Sequence, residues 1–123
     1  ADLMEQAKLC LSDYKFMCVV WDNEPIQSGN LSKICLDVLG WKKSTTYTML
    51  KKLSEKGYLK NENSIVTSVI PKQDVQKYES EYVVNNAFEG SLPAFVAAFV
   101  SNKKLSESDA EQIRQLIERH LED

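Results

Sequence analysis

Apolar positions recur along this chain in helical blocks, broken by one short β-type run and by one stretch that lacks polar side chains. Phe16, Val19 and Val20 give a first helix an inward face. Ser12 can cap it, and Asn23-Glu24-Pro25 stops it after about Asp22, because proline cannot continue the hydrogen-bond ladder. Ser28-Gly29-Asn30 opens a second helix, in which Leu31, Ile34, Cys35, Val38 and Leu39 form one amphipathic stripe that Gly40 closes. Thr46, Met49, Leu50 and Leu53 then mark a third helix within Gly40 to Leu59. Ser44 is its best N-cap by chemistry, and Gly57 sits where a helix leaves through the left-handed region. Tyr58-Leu59-Lys60, a polar turn Asn61-Glu62-Asn63-Ser64 and the β-branched run Ile65 to Ile70 read as a hairpin. The second and third helices, tightly joined, make a helix-turn-helix, and the hairpin after them makes it a winged helix.

Pro71 marks a boundary. From Gln73 to about Ala87 a helix carries Val75, Tyr78 and Tyr82 on one side, and Phe88-Glu89-Gly90-Ser91 interrupts it. Leu92 to Val100 follows without a polar side chain, presenting Leu92, Phe95, Val96, Phe99 and Val100. A helix apolar all round has to be buried all round. It is far shorter than the ~20 residues that cross a bilayer, so membrane insertion is not expected. A segment of roughly fifty residues hides too little surface to bury it alone, so a second copy of the chain is the expected cover. Ser106-Glu107-Ser108-Asp109 resembles a capping box, with Leu105 and Ala110 as its staple. Ala110, Ile113, Leu116, Ile117 and Leu121 continue at helical spacing. The expected fold is mainly α: a winged helix-turn-helix over residues 1–72 and a helical dimerisation domain over 73–123. Residues 1–10 carry few structural signals.

Composition adds a division of charge. With 43% hydrophobic and 27% charged residues the chain is globular in type. Its net charge of −3 argues against nucleic acid until the chain is split. Residues 1–72 hold ten lysines and eight acids, whereas 73–123 hold five basic residues and ten acids. Between Lys42 and Lys60 six lysines face one acid, Glu55. Cation is thus concentrated where a phosphate backbone would need it. Cys10, Cys18 and Cys35 form no CxxC pair, and no secretory signal leads the chain, so free thiols in the cytoplasm are expected, with Cys35 in the core and Cys18 partly exposed. His120 stands alone near a helix end, without ligand spacing, so neither metal nor cofactor is predicted. A cysteine–histidine nucleophile would have to join different modules, and no glycine-rich phosphate loop is present, which points away from an enzyme.

Outside its apolar stripe, the third helix carries Lys43, Ser44, Thr45, Tyr47, Thr48, Lys51 and Lys52. Lysines suit phosphates, and short hydroxyls suit base edges or a thymine methyl, so the face fits a DNA major groove. A merely solvated lysine-rich helix has the same composition. So does a winged-helix protein-interaction module that never touches DNA, since fold alone does not settle function.

The chain resembles the penicillinase repressor family of bacterial transcription factors, which includes repressors of β-lactamase and methicillin-resistance operons and a copper-responsive branch. The likeness rests on Phe16-Met17-Cys18-Val19-Val20-Trp21 ahead of Pro25, on Trp41 to Leu50, on Lys56-Gly57 before the wing, and on Phe88-Glu89-Gly90-Ser91-Leu92 and Leu105-Ser106. It implies a homodimer that binds dyad-symmetric operators and blocks transcription. Thr45 and Thr48 would then approach bases, with Lys43, Ser44, Lys51 and Lys52 near phosphates or flanking bases. Dimerisation would fall to Tyr78, Tyr82, Leu92, Phe95, Val96, Phe99, Val100, Ile113, Leu116 and Ile117. Resistance repressors of the family are inactivated by cleavage after a membrane sensor-protease detects a β-lactam. The matching bond is Ala98–Phe99, with alanine where the family carries asparagine. The copper branch uses paired CxC motifs, and residues 73–123 contain no cysteine. The wing is shorter and less basic than in better-known members, and Tyr47 takes a position often polar or basic.

Overall fold

The computed structural model describes residues 9–122. They divide into two compact units, one ending at Tyr82 and the other beginning at Val83. Within the first unit run α1 (Leu11–Asn23), β1 (Ile26–Gln27), α2 (Ser28–Leu39), α3 (Lys43–Glu55), β2 (Leu59–Glu62), β3 (Ile65–Ser68) and the start of α4 (Lys72–Ala87). This is a mainly α winged helix with a β-hairpin wing.

Its core is built from the periodic positions. Phe16, Met17 and Val20 of α1, Leu31 and Cys35 of α2, Leu50 and Leu53 of α3, Leu59 of β2 and Val66 of β3 form one buried cluster. Val38, expected on the inward stripe of α2, is exposed instead. The buried face of α2 follows Ser28, Leu31, Ser32 and Cys35, and Val38 falls to one side of that line. Val75 is fully buried in the same cluster. The first turns of α4 therefore belong to this unit, and the division falls after Tyr82, not at the expected 72/73.

The link between α2 and α3 fixes how α3 starts. Gly40 closes α2 in the left-handed region at φ 69°, its N–H donating to the Leu36 carbonyl, and the Trp41 N–H donates to that of Cys35. Trp41 stacks on Phe16 with centroids 5.7 Å apart, which pins the turn to the core. The extended segment ends at Lys42, so Lys42 is the N-cap and α3 begins at Lys43 without a side-chain cap. Ser44, expected to cap, falls inside the first turn. By the same two-residue offset, Cys10 and not Ser12 stands at the N-cap of α1, again without a side-chain cap.

The sheet is antiparallel in the order β1-β3-β2. Glu62 pairs with Ile65, leaving a two-residue Asn63-Ser64 turn in which both φ angles are positive, 53° and 66°. Such turns match the twist of paired strands, and asparagine tolerates them best. The strand β1 was not legible: two residues, Ile26 and Gln27, carry no period and form a strand only against Val66 and Ile65. Glu24 ties the end of α1 to the wing by accepting from the Ser68 N–H at 2.7 Å and from its hydroxyl. The Trp21 indole donates to the Ile70 carbonyl at 3.1 Å.

In the second unit, α5 (Leu92–Val100) and α6 (Glu107–Arg119) follow the end of α4. Ser106 caps α6 by accepting from the Asp109 N–H, as expected, and Ser91 caps α5 by accepting from the Ala94 N–H. Phe88 meets Phe95 edge-on at 5.5 Å. No described residue from Val83 onward is buried. The apolar helix α5, expected to be covered all round, has no fully buried residue and only Phe95 and Val100 half-buried. Among the described residues no single helix is long and apolar enough to cross a membrane.

Candidate nucleic-acid interface

One face of α3 is consumed by the core. Thr46, Leu50 and Leu53 are buried, and Met49 is half-buried. The rest of the helix is turned outward by that anchoring: Lys43, Ser44, Thr45, Tyr47, Thr48 and Lys51 are all exposed. Six of the seven side chains expected to meet DNA thus share the solvent side of one helix. Its only acid, Glu55, stands at the far end.

Two of these residues have neighbours that shape the face. Tyr47 donates through its hydroxyl to Ser28 Oγ at 3.3 Å, and the Ser28 N–H donates to the Ser64 carbonyl in the wing turn at 2.8 Å. The start of α2 thereby connects the reading face to the wing. Lys43 Nζ lies 5.9 Å from the Tyr47 ring centroid, keeping the cation beside an aromatic face at the helix start. In the wing, Lys60 is 3.8 Å from Glu62, so the hairpin carries almost no unopposed cation.

Lys52 differs from the other six. Its ammonium binds Asp13 of α1 at 3.0 and 3.3 Å, and hydrogen bonding to that carboxylate, more than anything else, raises the lysine above its ordinary value. Asp13 was missed as a candidate. A signal for it existed: Asp13, Phe16, Met17 and Val20 fall at i, i+3, i+4 and i+7, so a carboxylate sits on the inward stripe of α1 and needs a partner.

The cysteines and the histidine stand as the sequence suggested. Cys35 is buried, Cys18 half-buried and Cys10 exposed, all with free thiols. Burial pushes the Cys35 thiol up, partly opposed by the adjacent Thr46 hydroxyl. The two fall short of a formed hydrogen bond, which leaves Thr46 Oγ1 buried without a partner. His120 ends α6 with Nδ1 2.8 Å from the Leu116 carbonyl.

The residues expected to pair two chains lie mostly in the open. Leu92, Val96, Phe99, Ile113, Leu116 and Ile117 are exposed, while Phe95 and Val100 are half-buried. Tyr82 is exposed and Tyr78 half-buried, their rings 6.0 Å apart. Ala98 and Phe99, flanking the candidate cleavage bond, are both exposed, and the bond lies inside α5.

A family model described as penicillinase repressor matches residues 11–119. The chain is 26% identical over 113 residues to the penicillinase repressor of Bacillus licheniformis, covering 89% of this chain and 88% of that one. It is 21% identical over 112 residues to the methicillin resistance regulatory protein MecI of Staphylococcus aureus, covering 88% of this chain and 91% of that one. Those names are a repressor's and a regulator's, not an enzyme's.

Proposed function

The chain belongs to the penicillinase repressor family of transcriptional repressors, and on that footing we propose that it acts as a homodimer that binds dyad-symmetric operator DNA through α3. The observation that carries this is the exposed face of α3, where Lys43, Ser44, Thr45, Tyr47, Thr48 and Lys51 stand clear of a core that holds the opposite face. Thr45 and Thr48 approach base edges, and Lys43 and Lys51 meet phosphates. The bare apolar surface of α5 and α6 supports pairing with a second copy, because a contiguous patch of that kind marks an interaction site. A twofold dimer presents two copies of α3, which suits half-sites about one helical turn apart. Its place is the cytoplasm, beside the DNA it controls. Relief follows cleavage at Ala98–Phe99 by a membrane sensor-protease, which must open α5 to reach the bond.

The test is an electrophoretic shift with the region upstream of the protein's own gene against a random duplex of equal length. Thr45→Ala should erode preference for the operator roughly tenfold. Lys51→Ala should weaken binding to both duplexes and reduce the salt slope by about 1.8 for two copies. A parent chain that shifts neither duplex at low ionic strength is a protein-interaction winged helix instead.

A further inference from the structure

The pair between Lys52 and Asp13 joins α3 to α1, two elements far apart in sequence. Both carboxylate oxygens of Asp13 lie within hydrogen-bond reach of Nζ, at 3.0 and 3.3 Å. The Asp13 side chain is only 4% exposed, and that of Lys52 is 42% exposed. A carboxylate taken out of water is tolerated when it is paired, and removing its partner leaves a buried charge uncompensated. Among the described residues Lys52 is the cation that compensates Asp13. To neutralise a phosphate instead, Lys52 would have to abandon Asp13 in the core. Lys51, the next residue, has no such tie: it is exposed and forms no ion pair among the described residues.

We propose that Lys52 is a positioning residue of α3, fixing the roll of the helix through Asp13, and that it does not neutralise a phosphate. This rests on α3 being the DNA-reading helix. The consequence is a split among three lysines on one helix. Lys43 and Lys51 set the electrostatic grip, while Lys52 sets where Thr45 and Thr48 point. Its loss should reduce discrimination between sequences and leave the number of phosphates contacted unchanged. An ordinary groove lysine does the reverse.

The experiment measures affinity for the upstream duplex and for a random duplex across a series of salt concentrations. It uses the full chain as parent, Lys51→Ala, Lys52→Met, Lys52→Arg, Asp13→Asn and the double variant Asp13→Asn with Lys52→Met. Lys51→Ala should flatten the slope by about 1.8, whereas Lys52→Met should keep the parent slope and lose roughly tenfold in operator preference. Lys52→Arg, which keeps the pair, should restore that preference. In the Asp13→Asn background Lys52→Met should cost less than about twofold, because the group it acts through is already neutral. Should Lys52→Met fail to fold by circular dichroism, Lys52→Gln in the Asp13→Asn background gives the same slope comparison. A slope flattened by loss of Lys52 as much as by loss of Lys51 overturns the assignment, and so does an equal cost with and without Asp13. A parent that binds no duplex overturns the repressor reading and this assignment with it, whereas a binding parent with a Lys52-dependent slope overturns this assignment alone.

Discussion

Truncating Phe99 to alanine should turn a tight dimer into a weak one. Phe99 is 58% exposed in the single chain, on a helix that buries none of its residues. A phenylalanine offers about 200 Å², so roughly 120 Å² of this side chain is left for a partner to cover. At ~25 cal/mol/Å² that is about 3 kcal/mol per copy, and twofold symmetry counts it twice. Alanine keeps the β-carbon and forfeits most of the rest, so the loss is about 4–6 kcal/mol per dimer, or 10³- to 10⁴-fold in dissociation constant. Sedimentation equilibrium from about 0.1 to 100 µM reads a shift of that size directly. Lys103→Ala is the control, because Lys103 Nζ sits 4.5 Å from the Phe99 centroid within the same chain. This exposed cation–π contact, worth ~0.5–1 kcal/mol, is made within each chain whether paired or not, so its loss should move the dimer constant less than about fivefold. A Phe99→Ala chain that sediments as a dimer with the parent's constant would refute the claim that this apolar face lies between copies.

Thr46→Val should stabilise the first unit by about 1 kcal/mol and raise its melting temperature by roughly 4–8 °C, since it replaces a buried, unpartnered hydroxyl with a methyl of the same shape; a lower melting temperature would mean that the hydroxyl has a partner after all. Stability should fall on the alkaline side: burial raises Tyr58 and Cys35, and the hydrogen bond to Asp13 raises Lys52. A raised native pKa leaves stability complete below the unfolded-state value and drains it as pH climbs through the native one, so the urea midpoint should hold to about pH 8 and drop from about pH 9 upward. A midpoint constant across that range would contradict the three shifts. A thiol-alkylating reagent followed by mass spectrometry should label Cys10 first, Cys18 more slowly and Cys35 only on unfolding, without loss of DNA binding; early labelling of Cys35 would place it outside the core.

Much of the fold could be read because it is local. The stripes of α2 and α3, the serine cap of α6 and the β-branched run of the wing each declare themselves within a dozen residues. What could not be read depends on partners distant in the chain. Ile26 and Gln27 become a strand only beside Val66 and Ile65. Val75 reads as part of a separate helical domain, yet it fills the core of the first unit. Lys52 reads as one more surface cation until Asp13 is placed beside it across thirty-nine residues of sequence. The outward face of α3 was legible because burial of its opposite stripe leaves those side chains nowhere else to go. The tie that sets Lys52 apart was not, because charge alone does not distinguish a lysine held by a carboxylate from one left in solvent.

The two units leave opposite things unfinished. The first unit closes a core around Phe16, Met17, Leu31 and Leu53 and leaves Lys43 and Lys51 outside; the second fully buries none of its apolar side chains. On the proposed reading a single copy of α3 neutralises about two phosphates, through Lys43 and Lys51, for a slope near −1.8. Between 50 and 200 mM salt such a grip weakens only ~12-fold, which is the mark of feeble binding, whereas two copies held together double the slope and change ~150-fold. The short wing, with Lys60 already facing Glu62, adds little to either figure. If the chain reads DNA as proposed, its affinity has to come from joining two weak readers. On that reading the apolar surface of α5 and α6, not the charge of α3, would decide whether the operator is occupied, and cleavage within α5 would release DNA without touching a residue proposed to read it.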